Sequence, residues 1–473
     1  MTQVSIAQPN IVSGTRSWSH YWNYINDPIR FFDDTARDKG NISVLGNPAP
    51  LGSRGRHHVV ALGEEANRQV FTQVDTFVPG GQVLVGPNGT AQRRLRDGLL
   101  AMHGPRHRLH RKIMQPPFSR ASVASYVPTM TGLIDQVCDR WVVGEPFDMY
   151  EEATTLSNWV AAHILFGHED FDRSLKTCGL INQWIDLDVK ARRLPLILDI
   201  PGTPCARLLR HAEVLEEEMR DLIDRKRNEK QPKEDVLSVL VQAAKYPHSH
   251  LREIDLIAHT VILHTAAFVT TASSLAWTMY LIAQNPKLAA QLDDEIKMHM
   301  TDWPPDPDVV EKMPLLDAVL RETLRLLPPV HHTIRKARHE TDLQGVPMRK
   351  GDRVLLSAYM THRDPEIFEN PYQFDPTRWF KKKPGPYQYI PFSAGPRLCL
   401  GYQFAKLELK LMIIRIMQRF RLGVIANSHV NVECQLTLLP SQGIPMMVNE
   451  ADGAFSANPV TGNINAIVKN ERS

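Results

Sequence analysis

Apolar residues recur with a helical period over most of the chain. The pattern predicts helices over 121–143, 174–189, 206–226, 235–245, 253–284, 288–299 and 315–327. Pro128 should break or kink the first of these near its start, and Asp255 and Asn285 stand near the ends of the longest. A strongly apolar helix is expected over 401–420. The first hundred residues read differently, as short strand-like runs such as 57–62 among turns. Residues 78–89, with four glycines and two prolines, form an obvious loop. Residues 342–356 read as a hairpin around Gly345 and Lys350–Gly351, and 451–473 as a polar tail expected to fray. The resulting expectation is a mainly α protein with small β-sheets. Residues 1–450 would form a single domain, mixed α/β to about residue 100 and helical beyond it.

Composition narrows the class without naming it. The chain has 473 residues, 43% hydrophobic and 23% charged, as in an ordinary globular protein. A net charge of +3 is too mild to call for a nucleic-acid partner. The five cysteines, Cys138, Cys178, Cys205, Cys399 and Cys434, lack the spacing of a disulfide framework or a zinc clip, which fits a reducing cytoplasm. The first twenty residues hold no stretch of signal-peptide character. The most apolar stretch, 256–283, is interrupted by His259, His264 and several Thr and Ser, so it reads as a buried helix rather than a membrane anchor. The expectation is a cytoplasmic monomer.

The chemistry concentrates in Phe392-Ser-Ala-Gly395-Pro-Arg397-Leu-Cys399-Leu-Gly401. It fits F-x-x-G-x-R-x-C-x-G at all five fixed positions, a chance match on the order of 10⁻⁴ for a chain this long. Glycines permit a close turn beneath a sulfur, and amide N–H groups there can donate to it. The helix that follows offers its positive end to a thiolate. The bland reading is an inert buried cysteine.

With this loop the chain resembles the cytochrome P-450 family, heme-thiolate monooxygenases of the soluble bacterial type, over roughly residues 50–450. The resemblance implies a triangular prism of about a dozen helices around a buried heme b (iron protoporphyrin IX), with Cys399 as the iron ligand and Phe392, Arg397 and Gly401 around the cofactor. Two further family motifs are present. Glu322-Thr-Leu-Arg325 places an acid and a base on one helix face, and Pro371-Tyr-Gln-Phe374-Asp-Pro376-Thr-Arg378-Trp379 resembles the meander whose Arg378 completes an ion network with Glu322 and Arg325. The heme propionates would be met by His107, Arg111, Arg335 and Arg397. Read alone, each is equally well a base on a solvated face.

The distal helix departs from the family. Where the pattern is A-G-x-acid-T-T, this chain has Ala266-Ala267-Phe268-Val269-Thr270-Thr271. Thr270 and Thr271 remain as the expected catalytic hydroxyls, but Val269 removes the acid of the proton relay. Water and Thr270, a polar substrate group, peroxide as oxidant, or radical coupling of an aromatic substrate would each accommodate the change, as would neutral drift. By family analogy His264, Phe268, His331, His332 and Leu438 line the substrate pocket, with parts of 83–102, 184–196 and 437–441. The expected activity is oxidation of a small, largely hydrophobic molecule, by hydroxylation or oxidative coupling, in specialised metabolism. Electrons would come from a separate ferredoxin or flavodoxin with its reductase, docking near Arg106, Arg108, Lys112, Arg397 and Lys406. A peroxygenase and a non-catalytic heme sensor are the alternatives.

Overall fold

The most apolar run of the sequence becomes the longest helix, and the rest of the molecule is arranged around it. A computed structural model describes residues 10–12, 22–39, 41–45, 57–81, 84–167, 170–192, 199–230 and 235–470. The helices used below are α1 (Gly104–Met114), α2 (Met149–Phe166), α3 (Phe171–Arg192), α4 (Pro204–Asn228), α5 (Glu253–Ala283), α6 (Pro314–Leu326) and α7 (Tyr402–Arg419). Most of the first twenty residues, Val83 and residues 193–196 of the expected pocket segments, and the final 471–473 lie outside the described residues.

Helix α5 starts where its acid suggested. Asp255 accepts a hydrogen bond from the Arg252 amide at 3.0 Å, closing the first turn. Asn285 caps the far end through Leu281 O at 2.7 Å. Between them nearly every side chain is buried, against α2 on one side and α4, α6 and α7 on others. By length and composition α5 would also cross a membrane, but here it is the core helix. Pro128 has the expected effect: the first periodic run splits at Tyr126 into Arg120–Ser125 and Val127–Cys138, with the proline in the opening turn.

Periodicity missed α2 altogether. It is packed between Val127–Cys138 and α5, so apolar residues occur nearly all round it and no stripe marks it. Its ends were legible. Asp148 accepts from the Tyr150 amide at 2.7 Å, and Gly167 closes the helix at φ 60°.

Among the described residues the strands form four sheets. A six-stranded sheet runs in the order Asn10–Val12, Ile42–Leu45, His58–Ala61, Arg353–Ser357, His332–Ala337, Phe77–Pro79. Strand His332–Ala337 is antiparallel to Arg353–Ser357, with Arg335 opposite Val354. The expected 342–356 hairpin is half right. Thr341–Leu343 and Val346–Met348 do pair around Gly345, but the turn at Gly351 sends Arg353–Ser357 into the large sheet.

The tail is a correction. Ile464, Ile467 and Val468 are buried. The Lys469 amide donates to Tyr372 O at 2.8 Å, and Phe374 N donates back to Lys469 O at 2.9 Å. Ile464, Ile467 and Val468 stand at helical spacing but span a single turn, too short a pattern among polar residues to signal an element, yet they pin the tail to the segment carrying Arg378.

Candidate active site

Residues 392–401 form a tight loop leading into α7. The Cys399 amide donates to Phe392 O at 2.9 Å, and the Phe392 ring meets Tyr402 edge-on at 4.9 Å. Gly395 takes φ 62°, and a Cβ there would fall 2.7 Å from Phe71 O, so this glycine is required by close approach. Gly401 has an ordinary φ of −90°. Its contribution is the N–H, which donates to the Cys399 sulfur. Burial pushes the Cys399 thiol up, while the Gly401 amide and Arg111 pull it down. Cys399 is packed among protein but keeps exposed surface, so it borders open space.

Four basic groups converge on that space from three directions. His107 and Arg111 share one face of α1, Arg335 comes from the large sheet, and Arg397 from the cysteine loop. Arg111 donates to Leu398 O at 2.8 Å and Arg397 to Met102 O at 2.5 Å. Burial, then repulsion from Arg397, pushes Arg335 down to about 10. Burial and Arg111 do the same to Arg397, also to about 10. His107 is driven down to about 4, by burial first and then by Arg397, Arg111, Arg108 and Arg335. Among the described residues none of the three guanidiniums forms an ion pair with a carboxylate. Mutually repelling, half-buried cations with no anion are a site waiting for one. The two carboxylates of a heme fit that need, and the thiol fits its iron. When bound, heme held by a thiolate activates dioxygen, the sulfur releasing electron density toward the iron.

The distal helix is left uncovered along one stripe. On α5, otherwise almost wholly buried, Ile262 and Thr270 are part-exposed and Ala266 is exposed, at helical spacing of four. Thr270 Oγ donates to Ala266 O at 2.9 Å, and Thr271 Oγ to Ala267 O at 2.8 Å. Val269 faces elsewhere. It lines an open-sided cavity of about 420 Å³ with Asn182, Ile185, Thr437 and Glu151.

The five residues assigned to the substrate pocket fare differently. His264 is fully buried, bonded to Asn158 Oδ1 at 3.1 Å and stacked on Phe166 at 4.9 Å, with Phe268 edge-on beside it. Both point to α2, on the side of α5 opposite Ala266. The spacing carries this information: His264 stands two residues from Ala266 and Phe268 two from both Ala266 and Thr270, which places them on opposite faces of a helix. Leu438 is buried as well, its amide on Pro329 O at 3.0 Å and its carbonyl accepting from Trp277 Nε1 at 3.1 Å. His331 is buried, and burial pushes it down to about 4. His332 bonds Tyr24 Oη at 2.8 Å. The histidines therefore do not form one polar constellation.

Below the site, Glu322 anchors a buried network. It receives Arg325 at 2.8 and 2.9 Å and Arg378 at 2.9 Å. Trp379 Nε1 at 3.0 Å and the Asp375 amide at 3.0 Å join it, and neither was foreseen. Arg325 also donates to the carbonyls of His362 and Pro371 at 2.8 and 2.7 Å.

The expected basic docking patch is mostly spent internally. Arg106 pairs with Asp97 and Asp255, Arg108 with Asp75, and Lys406 with Asp317, while Arg397 turns inward. Lys112 remains exposed at the rim of a hollow of about 530 Å³ beside Cys399, with Phe118, Leu398 and Gln403.

Comparison with known proteins agrees with this geometry. The cytochrome P450 family model matches residues 51–446. Cytochrome P450 136 of Mycobacterium tuberculosis is 30% identical over 373 residues, covering 77% of this chain and 74% of its own. Cytochrome P450 120 of Synechocystis is 26% identical over 434 residues, covering 90% and 91%. Among solved structures, a retinoic acid-bound cyanobacterial CYP120A1 superposes with a TM-score of 0.77 at 23% identity, covering 90% of this chain and 96% of that one. A cytochrome P450DA heme domain gives 0.79 at 22%, covering 94% and 98%.

Proposed function

The chain belongs to the cytochrome P450 family of heme-thiolate monooxygenases, and from that premise we propose that it oxidises a small, largely hydrophobic molecule in specialised metabolism. The observation that carries this reading is the internal space itself. The Cys399 sulfur has its Gly401 donor, three guanidiniums stand near one another and near it without an anion, and the distal helix leaves an apolar stripe ending in Thr270 uncovered. Ile262, Ala266 and the exposed Val330 offer a substrate apolar contact, and Thr270 is the hydroxyl placed to hold or pass a proton.

Electrons would arrive from a separate carrier, a ferredoxin or flavodoxin with its reductase, at the hollow beside Lys112 and Leu398 in a cytoplasmic setting. With so few unpaired bases there, association should depend less on salt than a broad basic patch would require. The reading is tested on the reduced protein with carbon monoxide and in turnover. A red-shifted thiolate band and a product carrying label from isotopic dioxygen support it; loss of both sinks it.

A second reading, oxidative coupling of aromatic substrates, is favoured by Val269, since a distal helix without its acid weakens proton supply for oxygen insertion. The same labelled turnover separates the two. Hydroxylation places label in the product, whereas coupling gives a joined product without it.

A further inference from the structure

The cavity lined by Val269 has a chemistry of its own. At about 420 Å³ it suits a small organic ligand. Cys399, the four bases, Ala266 and Thr270 take no part in its walls. Ile185 of α3 and residues 437 and 439–441, expected in the substrate pocket, line this cavity, and the opening turns of α2 supply another wall. Its charge is one-sided. Asp148 and Glu151 line it, and no Lys, Arg or His does. Asp148 Oδ1 is spent on capping α2, accepting from the Tyr150 and Glu151 amides at 2.7 and 3.1 Å. Among the described residues neither carboxylate pairs with a base.

Two acids alone would be ordinary solvated surface. Thr437 makes the difference. It is 1% exposed, and among the described residues its Oγ has no hydrogen-bond partner. Buried hydroxyls normally find one, so on a cavity wall this oxygen is an acceptor for a ligand. Val269, Ile185, Leu436 and Leu439 add hydrocarbon surface. An acid at position 269 would have made that wall polar, and the valine keeps it apolar. We propose that the cavity is a second ligand site, selective for a protonated amine with a hydrocarbon body. The amine donates its N–H to Thr437 Oγ, and Asp148 and Glu151 balance its charge. Its hydrocarbon packs on Val269, Ile185 and Leu439. The ligand is held there and not oxidised, so the site goes beyond the monooxygenase reading and does not depend on it.

Calorimetric titration of the holoenzyme at neutral pH tests the site with three probes of similar size: protonated dimethylhexylamine, hexyltrimethylammonium and heptanol. Saturable binding of one dimethylhexylamine per chain is expected, with heptanol several-fold weaker and added salt weakening the amine. Glu151→Gln should weaken both cations several-fold. Thr437→Val should weaken the tertiary amine alone, since the quaternary ion has no N–H to donate. Asn182→Trp, at an exposed position on the α3 wall, fills the cavity and should abolish binding while the heme spectrum stays that of the wild type. No saturation, heptanol binding as tightly as the amine, or binding that survives Asn182→Trp overturns the proposal. A shift of the resting heme spectrum that survives Asn182→Trp places the amine over the iron and overturns it equally. The thiolate band of the carbonyl complex tests the monooxygenase reading separately, because no wall of this cavity touches Cys399.

Discussion

At the scale of single residues, position matters more than residue type. Ala266, Phe268 and Thr270 lie within one turn of α5, yet Ala266 and Thr270 open onto the site while Phe268 is locked against His264. Val269 points into a cavity that reaches solvent. Val269→Glu therefore places a hydrated acid in that cavity, next to Thr270 in sequence, without crowding the core. It should raise the share of electrons recovered in product, measured as product formed per NADPH; an unchanged share would identify Val269 as neutral drift. Among the basic residues, Arg335 and Arg397 repel one another in the absence of an anion. Removing one with Arg335→Ala should stabilise the heme-free protein slightly and weaken heme retention by about 1–3 kcal/mol, one lost charge-assisted bond. Heme transfer to an acceptor apoprotein measures the second effect and melting of the apoprotein the first.

At the scale of elements, two devices hold the site. The cysteine loop is fastened to the helix Glu64–Thr72 by Gly395 against Phe71, to α1 through Arg111, and to the segment before α1 through Arg397. Beneath it, Glu322 on α6 gathers Arg325, Arg378, Trp379 and the Asp375 amide, with both members of the central pair fully buried. Breaking such a pair leaves an uncompensated buried charge. Glu322→Gln should cost about 3–5 kcal/mol and abolish heme incorporation. Trp379→Phe, which removes one neutral donor to the same carboxylate, should cost only about 1–3 kcal/mol and leave heme bound. Denaturant midpoints and the heme-to-protein absorbance ratio check both. The two arginines could be anticipated from E-x-x-R and the meander, since both motifs are local in sequence. Trp379 could not be given a role until the meander was seen folded over α6.

At the scale of the whole molecule, several histidines are buried in their neutral form. Burial pushes His259 and His362 down to about 3, and His58 and His331 down to about 4. His362 is fixed in one neutral form, its Nε2 accepting from the Ile390 amide at 2.8 Å and its Nδ1 facing Arg325 O at 3.2 Å. A base whose folded value is depressed stabilises the fold above its ordinary value of about 6.5, and that contribution is lost as pH falls toward 3–4. Asp33, pushed up to about 6 by burial, works in the opposite sense. The histidines outnumber it, so the melting temperature should fall steeply between pH 6.5 and 4. A His259→Gln variant should fall less steeply, and a flat profile would contradict the assignment.

What the sequence determined by itself was whatever depends on neighbours along the chain. The cysteine loop, the Glu322–Arg325 spacing, the caps of α5 and the break at Pro128 are local, because helix geometry and backbone sterics act over a few residues. Only the tertiary structure decided which face of α5 met the site, that α2 was a helix with no outward side, and that the polar tail was pinned by Ile464, Ile467 and Lys469. It also gathered Glu151, Val269 and Thr437 around one cavity. Burial is a property of packing between distant segments, and a residue's charge state follows its burial. The pattern along the chain therefore fixed the iron-side chemistry, while the proton side waited on the fold.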